Sequence, residues 1–253
     1  MIKIGIMLFL VLAPLSDVVS AKFDRGSSCE LGANGLPKIG PQIAVVYDLS
    51  EPYPAVVIRN ILTRLQSELS DVTPQTRLTL FVFDRSSAFH TSIPLDSFCL
   101  AGKYSRFDPL APNINIQAKR RQAEIKRLEK FLLDYNPQHA TTGSPIVNAF
   151  VSAVTSQNLL TVATEIKAFL ISDLVEYSDM ANFYEEHLTV ARAKSLAKSV
   201  SARIPELGKV SNVTFLYVKR ERYGKVQNDS LVLFWSELMA LRNARSTTFV
   251  SIQ

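Results

Sequence analysis

The chain has 253 residues, 47% of them hydrophobic and 20% charged, with a formal charge of +5. That excludes a disordered or low-complexity polymer and leaves ample length for one α/β domain with a full core. The positive excess is modest; it favours anionic partners without selecting one. With only two cysteines, a disulfide-built scaffold and a cysteine-held metal are excluded as well.

Residues 1–21 read as a signal peptide. Lys3 gives a positive start, Ile4 to Leu15 is apolar, and Val19-Ser20-Ala21 offers small residues for cleavage. Interrupted by Pro14 and closed by Asp17, the run is well short of the ~20 apolar residues of a spanning helix. No later segment is long and apolar enough to span. The mature chain is therefore expected to be exported. A short leader with few cysteines favours a bacterial periplasm, with the extracellular medium as the alternative. Asn212-Val-Thr214 and Asn228-Asp-Ser230 match glycosylation acceptors, although the first falls on an expected strand. In an oxidising compartment Cys29 and Cys99 are expected to pair. By the chain-entropy model, closing that loop would stabilise the fold by roughly 4 kcal/mol.

Residues 22–42 read as an irregular arm and 43–253 as the folded domain. Ile43-Ala-Val-Val-Tyr-Asp-Leu-Ser50 is a β-branched run between prolines and reads as a central strand buried on both faces. Val57, Ile58, Ile61, Leu62, Leu65 and Leu69 fall at helical spacing, so Ala55 to Leu69 is an amphipathic helix. Arg77 to Asp84 is a second strand, and Ala88 to Leu95 a third, antiparallel to it through an Asp84–Ser87 turn. Asn115 to Asp134 is helical, with Lys119, Arg120, Arg121, Lys126, Arg127 and Lys130 on its outer side. Without interleaved aromatics that side reads as a solvated face, not a nucleic-acid surface. Ser144-Pro145 opens a helix to about Ser156, and Ile166 to Asp173 is another buried strand. Asp179 to Arg203 is helical, Val213 to Val218 a strand, Ser230 to Asn243 a helix and Thr247 to Ile252 a final strand. The alternation describes one doubly wound α/β domain, with a mostly parallel sheet of about six strands and helices on both faces.

Two strands end in an acid, Asp48 and Asp173, and in a parallel sheet both ends share one edge. Between them in sequence lies the hydroxyl-rich turn Ala140-Thr-Thr-Gly-Ser-Pro145. Carboxylates and hydroxyls meeting there form a hard-oxygen set suited to Mg²⁺, Mn²⁺ or Ca²⁺. A cation would also relieve the repulsion between the acids. The plain alternative is capping: Ser144 before Pro145 is a helix N-cap worth about 1 kcal/mol, Asp48 and Ser50 could cap the helix that follows them, and Asp173 could do likewise with Ser172 or Ser178. His139, His90 and His187 have no partners at ligand spacing, and Glu176 and Asp84 read as ordinary loop acids.

On these residues, from about Ile43 to Ile252, the chain resembles the von Willebrand factor A-type domain with its metal-ion-dependent adhesion site. In that family the first strand ends Asp-x-Ser-x-Ser; here it reads Asp48-Leu-Ser50-Glu-Pro52, so Pro52 replaces the second Ser and Glu51 or a water is left to fill the gap. The family's helix-opening Thr falls on Ser144, with Thr142 as the alternative, and its later Asp falls on Asp173, followed by Leu174 where the family favours Gly. The resemblance implies a divalent cation on Asp48, Ser50, Thr142 or Ser144, and Asp173. It also implies a non-enzymatic protein-binding module in which a partner's acidic group completes the coordination.

Two other classes stay open: a structural subunit of an envelope or secretion/conjugation-type assembly with a decayed metal site, and a metal-dependent hydrolase or phosphotransferase using the same acids. The chain has no Gly-x-Ser-x-Gly elbow, no His-Glu-x-x-His, no phosphate-cradling glycine loop and no Gly-x-Gly-x-x-Gly, so no enzyme motif speaks for the last.

Overall fold

The computed structural model describes residues 39–73, 76–84, 93–102, 113–138, 143–184 and 188–253. The β-branched run forms β1 (Gly40–Asp48), which starts three residues before the expected Ile43. It lies mid-sheet, parallel to β2 (Arg77–Phe83) on one side and β4 (Ala163–Ser172) on the other. Alternation along β1 divides the core. Ile43, Val45 and Tyr47 face α1 (Ala55–Glu68) and α2 (Ile114–Asp134), while Ala44 and Val46 face the opposite layer. That layer holds α3 (Ile146–Val154), α5 (Val190–Ser201) and α6 (Asp229–Leu241), with the short α4 (Gln157–Leu160) leading into β4. β5 (Val210–Val218) and β6 (Thr247–Ile252) complete a six-stranded sheet of order β3-β2-β1-β4-β5-β6. The expected doubly wound α/β fold, with helices on both faces, is the fold observed.

β3 (Asp96–Cys99) is the antiparallel edge strand, pairing Leu80 with Asp96 and Arg77 with Cys99. The antiparallel partner of β2 therefore begins just after the expected Ala88–Leu95 ends; residues 85–92 lie outside the described residues. Ile93 and Leu95 flank Pro94 and are exposed, whereas Phe98 and Cys99 are buried, so burial sets the strand. The helix expected from Asp179 begins only at Val190, where the Thr189 side chain accepts from the Arg192 N–H at 3.2 Å. Before it, residues 178–184 turn back on themselves: Ser178 N–H donates to the Ala181 carbonyl (2.9 Å) and Phe183 N–H to that of Glu176 (3.0 Å).

The basic side of α2 is partly used within the fold. Arg127 grips Asp96 of β3 through two bonds of 2.6 and 2.5 Å and lies over the Phe98 ring, and Arg121 donates to the Leu69 carbonyl at 2.7 Å. No described helix is long and apolar enough to cross a membrane. Cys99 is buried at the end of β3; Cys29, the leader and most of the expected arm lie outside the described residues.

Candidate functional site at the carboxyl edge of the sheet

Neighbouring parallel strands bring Asp48 and Ser172 side by side, because Tyr47 of β1 registers with Ile171 of β4. This is the point where the connections leave β1 and β4 toward opposite faces, the crevice position of a doubly wound sheet. The Asp48 carboxylate is fully buried and fully engaged. Its Oδ1 accepts the Ser50 N–H at 2.8 Å, and its Oδ2 accepts the hydroxyls of Ser172 (2.7 Å) and Ser144 (3.1 Å). Burial pushes the Asp48 carboxyl above the ordinary range, while the bonds from Ser50, Ser172 and Ser144 pull it back.

Ser144 reaches Asp48 because its backbone is paired in both directions with Tyr177, just beyond β4. The expected capping role does not materialise: the N-cap of α3 is Pro145, with no side-chain cap bond. Glu176 takes over that task, its Oε2 accepting the Val147 N–H at 2.8 Å while Ser178 hydroxyl donates to Oε1. Glu176 is thus a fully buried acid, not an ordinary loop acid. Burial pushes its carboxyl up to about 8, with the Asp48 charge adding to the rise.

Asp173 is buried beside this cluster. Its Oδ1 accepts the Val175 N–H at 3.0 Å, and its Oδ2 lies 3.3 Å from Nε of Arg220. Burial and then the Asp48 charge raise it to about 7, with Arg220 opposing. Arg220 follows β5 and reaches into the floor. Its Nε is 3.0 Å from Oε2 of buried Glu51 and is aligned as a hydrogen bond to neither acid, so the contact is one of charge. Its other donors go to the backbone carbonyls of Pro52 (3.1 Å) and Glu51 (3.5 Å), and its guanidinium lies over the Tyr53 ring. Gln227 fixes the same strand ends: its Oε1 accepts the Arg220 N–H at 2.7 Å, and its Nε2 donates at 2.9 Å to the carbonyls of Asp173 and Val218.

Above the floor lies a wetter collar. Arg222 pairs with Glu51, and Tyr223 donates its hydroxyl to Glu51 Oε1. Tyr223 packs edge-on against the exposed Tyr184, which packs edge-on against the exposed Tyr177. Lys219, Arg222 and Lys225 are exposed in the same segment, with one exposed acid, Glu221, among them. An open cleft of about 590 Å³ is lined there by Lys219, Arg220, Glu221, Gly224, Gln227 and Gln253.

No protein-family model matches the sequence, and no curated protein does. Among solved structures, the chain is similar to the PilB minor pilin from Streptococcus sanguinis, with 10% identity and a TM-score of 0.41 over 85% of this chain and 57% of that one. The D319A mutant of that pilin aligns likewise, with 11% identity and a TM-score of 0.41 over 85% and 57%. The human COPII-coat protein Sec24c aligns with 13% identity and a TM-score of 0.37 over 87% of this chain and 30% of that one. The chain spans less than two thirds of each, and likenesses this loose carry no functional argument.

The structure brings together four of the expected site residues, Asp48, Ser50, Ser144 and Asp173; Thr142 lies outside the described residues. Their carboxylate oxygens accept internal N–H and O–H donors or face Arg220, and among the described residues no three His, Cys, Asp or Glu side chains group as metal ligands. Sequence reasoning missed Ser172 and Arg220. Ser172 ends β4, and Arg220 lies two residues beyond the end of β5, close to the signal that found Asp48 and Asp173.

Proposed function

We propose that this chain is an exported, non-enzymatic, von Willebrand factor A-like module that docks an acidic segment of a partner protein on the carboxyl edge of its sheet. One observation carries the reading: a buried acidic floor, its carboxylates engaged within the chain, lies beneath a collar in which Lys219, Arg222, Lys225 and Tyr184 are exposed and Tyr223 is half-buried. A floor of this kind is poorly suited to turnover. Asp48, Ser144, Ser172 and Asp173 are each at most 3% exposed, so no substrate meets them. The collar has the composition of a binding surface, with tyrosine and arginine as rigid anchors and exposed charge to steer an acidic partner. The structure of the floor supports attraction by the collar in place of the cation-mediated capture expected from the sequence.

Photo-crosslinking in intact source cells tests this. A crosslinker at Tyr184 is expected to yield one discrete protein adduct that Arg222→Glu abolishes, and none from Thr161 at the opposite edge. Equal labelling from both edges, or no change with Arg222→Glu, removes the proposal. Turnover of a phosphoester panel, lost in Asp48→Asn, supports the hydrolase in its place.

A further inference from the structure

We propose that Arg220 is the resident cation of this edge. It supplies from within the chain the positive charge that a divalent ion would otherwise bring, and the edge keeps its geometry without metal. This deepens the reading of the edge as a docking face, but its test needs no partner and so stands or falls separately.

Three observations converge on it. First, the guanidinium sits between two buried acids from different loops, with Nε 3.0 Å from Glu51 and 3.3 Å from Asp173, and its side chain is only 13% exposed. Second, its position is built. The backbone N–H of Arg220 is held by Gln227, its terminal nitrogens by the Glu51 and Pro52 carbonyls, and its flat face by Tyr53. A planar fork fixed on all sides is a use for arginine that lysine cannot reproduce. Third, the loop leaving β1 is tied to the same group: the Pro52 carbonyl, four residues after Asp48, accepts from Arg220 at 3.1 Å, so the cation also holds the strand end that carries the central acid. Partner docking at this edge is then independent of divalent cations.

The test compares thermal melts in EDTA, Mg²⁺, Mn²⁺ and Ca²⁺ against sodium chloride of equal ionic strength, with Mn²⁺ uptake followed by electron paramagnetic resonance. The wild type is expected to show no cation-specific shift and no Mn²⁺ uptake. Arg220→Gln leaves Asp173 without its cation and Glu51 with Arg222 alone; it is expected to melt lower and to recover specifically with Mn²⁺ or Mg²⁺. Arg220→Lys keeps the charge and is expected to stay insensitive to the cations. Wild-type Mn²⁺ uptake or a cation-specific rise overturns the proposal, and so does an Arg220→Gln variant that is destabilised yet ignores divalent cations. Should that variant not fold in any buffer, wild-type uptake decides: none upholds the proposal, stoichiometric uptake overturns it.

Discussion

Glu176 carries an unusual load for a single side chain. It accepts the Val147 N–H at the start of α3 from outside the helix, receives the Ser178 hydroxyl, and does so fully buried within reach of the Asp48 charge. Its folded-state value of about 8 stands above the ordinary 4.5. Between those values the folded chain holds a proton that the unfolded chain has released, so the Glu176 contribution to stability falls as pH rises from 4.5 to 8 and is level outside that window. Glu176→Gln keeps an oxygen for the Val147 N–H and offers an amide to Ser178, without the titration. The variant is expected to gain on the wild type across that window by at most about 1.4 kcal/mol per pH unit, read from denaturant midpoints at a series of pH values. Parallel pH profiles for the two proteins remove the assignment. Asp173 and Asp48 are shifted the same way and slope both profiles, so the difference reports Glu176 together with its charge coupling to Asp48. Asp48 and Asp173 were legible in the sequence because an acid closing an apolar run marks a strand end. Glu176 was not, because its burial depends on residues 178–184 folding back over it, which no local pattern encodes. Leu174 is a related case. It holds a left-handed backbone at φ 62°, the conformation that favours glycine, yet its side chain is wholly buried and its carbonyl accepts the Trp235 indole N–H at 3.0 Å. Core packing offsets a backbone cost of about 1–2 kcal/mol.

At the scale of elements, helices with a clean 3.6-residue period were readable nearly to their ends, and the buried parallel strands likewise. Errors fell where tertiary contact decides: at the edge strand β3, and ahead of α5, where Ser178 to Tyr184 turn back instead of continuing the helix. α6 shows how a start signal works when the local chain is allowed to use it. Asn228 accepts the N–H groups of Ser230 (2.9 Å) and Leu231 (3.3 Å), and its own amide donates to the Lys225 carbonyl at 3.0 Å. This cap anchors the helix that buries Phe234, Trp235 and Leu238 immediately behind the collar segment. Asn228→Ala is therefore expected to cost about 1 kcal/mol, measured as a lower denaturant midpoint at unchanged slope, and Asn228→Asp much less. A loss no larger than that of an exposed surface substitution would show that the cap is dispensable. The same geometry bears on the two glycosylation matches, since both amides are already bonded: Asn228 here, and Asn212 to Ser246 at 2.9 Å.

The whole molecule is a sheet whose central strands are covered on both faces, leaving β3 and β6 as its edges. The doubly wound fold was legible because buried strands and amphipathic helices alternate along the entire domain. Where the edges go was not, since an edge strand is defined by what it lacks on one side. Cys99 ends β3, the edge strand that Arg127 of α2 also holds through Asp96. The expected Cys29–Cys99 bond would bring the N-terminal segment to that same edge and close a loop through β1, α1 and β2. By the chain-entropy model such a loop stabilises the fold by about 4 kcal/mol, mostly by restricting the unfolded chain. Purified chain, denatured without reductant, is then expected to resist thiol alkylation and to become fully alkylated after reduction. Its denaturant midpoint should fall on reduction, with no change in the response to cations at the Arg220 end, because three strands separate β3 from the β5 that leads to Arg220. Ready alkylation before reduction, or a midpoint indifferent to reductant, would leave the edge strand held by Arg127 and its ladder to β2.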